Sequence, residues 1–383
     1  MRRTLVLVLA AAVAFALAAP LATAGDKKAP GAIVFNGQGN DFDAYSTTKP
    51  FKHQTVIRNR NADPAGFDIN AQICFFGKGG RTFIAGEDTG QPDIVQGWGI
   101  FRLRGNKVGK LVATQIGKLQ PTYQGATDNA ENYGCGVLSD GRVVTSDIGN
   151  QASGPENGQL IIWFPPLTEG FEAGDAGNVG TVPYCKLDIG IGTAGGIAVD
   201  DEDRVYVGSA RGPSAGVLRF PGPFPTSPDA AGGCTSQDAT GAPMAENVER
   251  ELFIQPRENF GTPIGIVPAP DGGWYVSSVI NGVINEFDAD GAFVRTILEP
   301  AAGDVLDTDP YETGTPLGLA VGPDGTLYFA DIGIVIDGTN IGPGDGTGTV
   351  RRIRFVDGEP QAPETMAEGL AFPDGMGVFV PRR

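Results

Sequence analysis

The sequence predicts an all-β protein, a six-bladed β-propeller, and three observations carry that prediction. First, one stretch is written twice: GTPIGIVPAPDGGWYVSSVI at residues 261–280 and GTPLGLAVGPDGTLYFADIG at 314–333. Second, weaker copies fill the rest of the chain. Aligned on the small residue of the motif, they fall at Ile73, Gly134, Gly196, Gly265, Gly318 and Gly375, with 53 to 69 residues between neighbours. A period in that range belongs to solenoids and propellers. Third, the last copy is cut short, because the chain stops at VFVPRR just after the first strand of the sixth unit. The missing strands are present at the other end, in GAIVFNG, DFDAYST and HQTVIRN. The N-terminal strands are therefore expected to close the last blade and remove a free sheet edge.

Each unit earns its strands in the same order. A run of small apolar residues (GIAV, IGIVPAP, LGLAV) leads into a D-G or similar turn, and an aromatic and β-branched run follows (VYVGS, WYVSS, LYFAD). That is a strand, a tight turn and a second strand. Third strands read at GVLRF, GVINEFD and TVRRIRFVD, and fourth strands at FVRTILE and QTVIR. Small residues suit the innermost strand, which crowds the central channel.

Two domains of the chain are expected: a secretory signal at 1–24 and a single propeller at 25–383. The opening MRRTLVLVLAAAVAFALAAPLATA has two Arg, a long apolar run and Ala22-Thr23-Ala24, an A-x-A cleavage pattern before Gly25. The expectation is a secreted or periplasmic protein, monomeric, with no membrane span after cleavage. Its 58 Gly and 29 Pro fit many tight turns. A net charge of −17 argues against nucleic acid and anionic membranes as partners, and suits solubility or cation binding.

The four Cys allow three pairings. The repeat puts Cys74 and Cys135 one residue after the aligned position on inner strands of adjacent blades. Cys185 and Cys234 belong to the outer parts of blades two and three. The expected disulfides are Cys74–Cys135 and Cys185–Cys234, with a soft-metal role for the first pair as the alternative. The lone His53 sits before an outer strand, which excludes four-His iron sites and His-rich copper or zinc sites. No G-x-S-x-G elbow and no P-loop occur.

Residues just before the aligned positions and just after the second strands converge on one face. Asp374, Glu131, Asn132, Asp147 and Asp331 bring carboxylate and amide oxygens there, the donors that a hard cation such as Ca²⁺ takes six to eight at a time. Asp and Asn also cap turns in any β-rich chain, so a turn-capping role stands beside the metal reading. Tyr133, Trp98, Trp163, Phe260 and Trp274 are read chiefly as packing between blades.

The motifs P-x-G-[ILM]-[AG], P-D-G and Y-[VF]-[AS]-D resemble those of NHL-repeat and gluconolactonase-like propellers. The resemblance covers nearly all of residues 25–383. It implies one divalent ion held by a Glu, two Asn and an Asp. The Asp belongs to a P-D-G-M motif, which here is Pro373 to Met376 and marks Asp374. The family's P-N-G asparagines have no counterpart: the matching places hold Gln72, Tyr133, Gly195, Ile264 and Leu317. The function implied is a Ca²⁺-assisted hydrolase of a small lactone or ester, with Glu131 or Asp147 as general base. The alternative is a non-catalytic module that binds a ligand or a protein.

Overall fold

The computed structural model describes residues 31–38, 41–58, 68–88, 97–120, 132–148, 157–171 and 182–381. The expected signal segment and Glu131 lie outside the described residues. The described chain is a six-bladed β-propeller with four antiparallel strands in each blade. Blade one runs Asp68–Phe76, Thr82–Asp88, Gly97–Arg104 and Val112–Leu119. Blade two runs Asn132–Val137, Val143–Asp147, Gly158–Trp163 and Tyr184–Ile191. Blade three runs Ala194–Val199, Val205–Ser209, Gly216–Phe220 and Glu251–Ile254, and blade four Pro263–Pro268, Trp274–Ser278, Val283–Phe287 and Phe293–Leu298. Blade five runs Pro316–Val321, Leu327–Asp331, Gly348–Ile353 and Glu364–Leu370.

Blade six has the expected split origin. Its inner strand, Pro373–Phe379, pairs with Ile33–Gln38, which pairs with Asp41–Ser46 and then His53–Arg58. Two ends of the chain thus form one sheet, in register from Ile33 opposite Phe379. Arg352 of blade five adds a tie, donating to the Thr47 carbonyl at 2.6 Å and to Glu364 at 2.7 Å.

The core is not one mass but six wedges between neighbouring blades. Leu327 and Phe329 face the wedge between blades four and five, whereas Tyr328 and Ala330 face the one between five and six. Both faces of the second strand are therefore buried. That is why LYFAD, WYVSS and VYVGS read as almost unbroken apolar runs and not as a clean in–out alternation. Trp98, Trp163, Phe260 and Trp274 are all buried in such wedges, the packing role read from the sequence.

At the channel the blades meet backbone to backbone. A Cβ on Gly318 would stand 2.2 Å from the Asp374 carbonyl oxygen, and one on Gly375 would stand 1.3 Å from that of Ala71. Glycine is the only residue these approaches admit. In every blade the pairing of the inner strand with the second slips at this same place, a β-bulge.

Both expected disulfides are present. Cys74–Cys135 joins the inner strands of blades one and two, with Cα atoms 6.0 Å apart, and this bond replaces the soft-metal alternative. Cys185–Cys234 has a Cα separation of 6.2 Å. It ties the outer strand of blade two to a long insertion of blade three, which the sequence repeat did not reveal as a structural element. Within the insertion, Ser236–Gln237 and Pro243–Met244 form a small hairpin that adds to the edge of blade two, with Met244 opposite Lys186. Lys186 and Asp238 form an ion pair there, both nearly inaccessible to solvent. Burial works to raise the Asp238 pKa, but the Lys186 ammonium and the Thr240 hydroxyl and amide outweigh it and hold the carboxyl at about 2.

Two outcomes are expected. A chain that starts at Asp63 lacks three strands of blade six, so it should aggregate or lose its cooperative melting transition. A monomer with an unchanged melting curve would refute ring closure. For the ion pair, Asp238→Asn removes the carboxylate that neutralises buried Lys186, and should cost about 3–5 kcal/mol in a urea titration at pH 7. The depressed pKa fixes the sign of the acid response: the stabilisation is complete above the ordinary value of 3.8 and is lost as pH falls through about 2. The gap between wild type and variant should therefore narrow in that window, and a constant gap would remove the pair from the acid response.

Candidate functional site at the channel mouth

Inner strands begin, and second strands end, on one face of the ring. The register brings these ends together in pairs: Asn132 with Asp147, Ala194 with Ser209, Pro263 with Ser278, and Pro316 with Asp331. The polar residue that ends the second strand is used locally. In blade four, Ser278 Oγ accepts from the Thr262 amide at 3.0 Å and donates to Asn281 Oδ1 at 2.7 Å. In blade three, Ser209 Oγ donates to the Gly192 carbonyl at 3.0 Å.

In blade five the same position is Asp331, and its carboxylate is fully engaged. One oxygen accepts from the Thr315 amide (2.7 Å), the Thr315 hydroxyl (3.2 Å) and the Gly333 amide (3.1 Å). The other accepts from the Thr349 hydroxyl at 2.8 Å and pairs with the Arg351 guanidinium at 3.1 Å. This is a turn-organising carboxylate with its own counter-charge.

The other expected donors are dispersed. Asp374 lies in the channel wall of blade six, buried, with its Oδ2 facing the Ala71 amide at 3.4 Å. Asn132 turns its amide nitrogen away to the Gly97 carbonyl at 2.6 Å. Asp147 is buried at the end of a second strand, opposite Asn132 and Gln159. Among the described residues no group of three or more His, Cys, Asp or Glu stands where one ion could be held. Measured against the six to eight oxygens of a Ca²⁺ shell, the described donors do not fit. Glu131, expected both as ligand and as base, lies outside the described residues.

What converges at the mouth is apolar. Tyr133 of blade two, Val279 of blade four, and Leu317, Ile332 and Ile334 of blade five form one buried cluster, with Ile264, Leu306 and Phe372 packed against it. Tyr133, Ile264 and Leu317 stand in the places where the gluconolactonase-like pattern has its asparagines. Of the two other such places, one is Gly195 and the other, Gln72, is spent on the channel wall. Its Oε1 accepts from the Cys135 amide (3.2 Å) and the Ile197 amide (2.8 Å), and its Nε2 donates to the Ile197 carbonyl (2.8 Å). The channel that remains, lined by Gln72, Tyr133, Gly265, Gly318 and Asp374, leaves a cavity of only about 10 Å³.

Around this roof exposed apolar side chains stand among exposed acids such as Asp307, Asp309, Asp337 and Asp345. Val305 is 63% exposed, Ile341 54% and Ile280 36%, and all three lie in connections on the mouth face. Ile341 belongs to a hairpin, Ile334–Asp337 with Asn340–Pro343, that blade five inserts between its second and third strands. The sequence carried a signal for it, a D-G turn between β-branched residues in IVIDGTNIGP. The repeat alignment assigned no strand to that stretch.

No protein-family model and no curated protein matches the chain. Solved structures do match it. A Bacteroides caccae protein of unknown function superposes with a TM-score of 0.52 and 11% identity, over 92% of this chain and 99% of that one. A chain of the nidogen/laminin complex gives a TM-score of 0.51 and 12% identity, over 92% of this chain and 100% of its own. Regucalcin, a calcium-binding protein of Agrobacterium tumefaciens strain C58, gives a TM-score of 0.45 and 14% identity, over 81% of this chain and 87% of that one. At these identities the likeness is one of fold, and the fold is the β-propeller.

Proposed function

We propose that the protein is a non-catalytic binding module that engages an apolar surface of a partner protein through its channel-mouth face. One observation carries this reading: none of the five places matched to the family's P-N-G motif holds Asn, and three of them, Tyr133, Ile264 and Leu317, are packed as an apolar roof. The space beneath, about 10 Å³, is far below the roughly 300–1,000 Å³ of small-molecule pockets, which favours surface contact over an enclosed substrate. Exposed Val305, Ile341 and Ile280 add apolar side chains to the connections of the same face. Two disulfides, and no helix among the described residues long and apolar enough to cross a membrane, are compatible with a secreted or periplasmic protein.

The competing reading is the Ca²⁺-assisted hydrolase, and one set of measurements separates them. Purified protein is incubated with a panel of lactones and aryl esters, with Ca²⁺ and then with chelator. No turnover above buffer is expected, and no shift of the melting curve. Asp331→Ala should cost about 3–5 kcal/mol equally with and without Ca²⁺, because it strands Arg351. The uncharged dye Nile red should brighten on wild type, and Val305→Glu with Ile341→Glu should at least halve that signal at an unchanged melting temperature. Chelator-sensitive turnover that disappears in Asp374→Asn would overturn the binding reading and restore the hydrolase.

A further inference from the structure

On the opposite face of the ring, blade one ends in an unusual way. Along its third strand, Trp98 and Ile100 point into the wedge shared with blade two. The next residues of the same parity, Arg102 and Arg104, are exposed. One strand face thus passes from apolar to cationic within four residues. The two guanidinium groups leave the strand roughly 6.8 Å apart.

Two open grooves meet there, and Thr82, the cross-strand partner of Arg102, lines both. The first, about 570 Å³, is cationic: Lys78, Arg81, Arg102 and Arg104 line it. Arg81 is used to hold the adjoining turn, donating to the Gly105 carbonyl at 3.0 Å and to the Asn106 side chain. Lys78, Arg102 and Arg104 have no side-chain hydrogen bond or ion pair among the described residues. The second groove, about 560 Å³, runs between blades one and two and is mainly apolar, with Phe76, Ile116, Val137 and Leu167 along it. Its single acid, Asp140, is already paired with Arg142 at 2.7 Å.

The charge pattern is local and against the trend of the molecule. The whole chain carries −17, yet residues 97–120 contain five Lys or Arg and no Asp or Glu. Free cations at the end of an unfilled apolar trough are complementary to one chemistry: a charged head with a hydrocarbon tail. A carboxylate head suits an arginine pair, because guanidinium and carboxylate match in geometry. The overall negative charge disfavours an extended anionic surface such as a membrane or a nucleic acid. We propose that this groove between blades one and two binds a single-chain anionic amphiphile, a fatty-acid carboxylate, with the tail along Phe76, Ile116 and Val137 and the head on Arg102 and Arg104.

The test is calorimetric titration of the full-length protein with dodecanoate below its micelle concentration. A saturable one-to-one isotherm is expected. Affinity should rise from octanoate to dodecanoate, by up to roughly fourfold for each added methylene that is buried. Dodecanol, which lacks the charge, should bind at least tenfold more weakly. The variant Arg102→Ala with Arg104→Ala alters two exposed side chains, so it should fold normally, and it should lose at least tenfold in dodecanoate affinity. Ile341→Glu at the far face should change nothing, which keeps this site separate from the channel mouth. Equal binding of acetate and dodecanoate would reduce the site to an anion patch and overturn the proposal. So would an unchanged affinity of the double arginine variant, the absence of any dodecanoate isotherm, or binding to anionic vesicles in place of the free fatty acid.

Discussion

The structure depends on one close approach: six inner strands ringed so tightly that each touches its neighbour through bare backbone. No side chain fits between Gly318 and the Asp374 carbonyl, or between Gly375 and that of Ala71. The bulge that recurs in every inner strand follows from this crowding, since a regular ladder would drive side chains into the axis. The bulge also frees backbone groups, and polar side chains are recruited to satisfy them. Ser146 Oγ accepts from the Gly134 amide at 2.7 Å and donates to the Gly195 carbonyl of the next blade at 2.5 Å. Ser277 does the same between the Gly265 amide and the Leu317 carbonyl, at 2.9 and 2.8 Å. Gln72 spans three blades in this role. The wedge cores then fill whatever the fixed hub leaves between blades.

The same constraint explains what the sequence made legible. Glycine and small residues at the hub recur because geometry demands them, so Gly134, Gly196, Gly265, Gly318 and Gly375 aligned without error and placed Cys74 and Cys135 beside one another. Aromatic residues of the second strands followed from burial on both faces. Elements that do not repeat were invisible to that logic. The hairpin around Ile341 and the one around Asp238 each belong to a single blade, and nothing elsewhere in the chain echoes them. The candidate site was legible as a face but not as chemistry. Sequence placed Asp147 and Asp331 at matching positions at the ends of second strands, yet it could not show that Asp331 is consumed by Thr315, Thr349 and Arg351. A charged residue beside a channel reads alike whether it waits for a ligand or organises a turn.

Polarity is distributed unevenly over the two faces. On the mouth face Asp147, Asp331 and Asp374 are sunk into strand ends, while the connections of blade five expose both apolar side chains, Val305 and Ile341, and acids, among them Asp307, Asp337 and Asp345. The opposite face carries the exception in charge, a cationic lip on blade one, where Arg102 and Arg104 continue a strand that began in the core. The two proposed contacts therefore lie at opposite ends of the channel axis and on different blades, and the hub between them is closed by Gln72 and its partners. Each face can be occupied without displacing side chains at the other.

The split origin of blade six also orders events in time. A chain grows from its N-terminus, so Ile33–Gln38, Asp41–Ser46 and His53–Arg58 are synthesised before the strands of blades one to five. Their sheet partner, Pro373–Phe379, follows all of those. Blade six is thus the one blade whose sheet cannot form until the five others have been made, and residues 33–58 keep an unpaired edge until then.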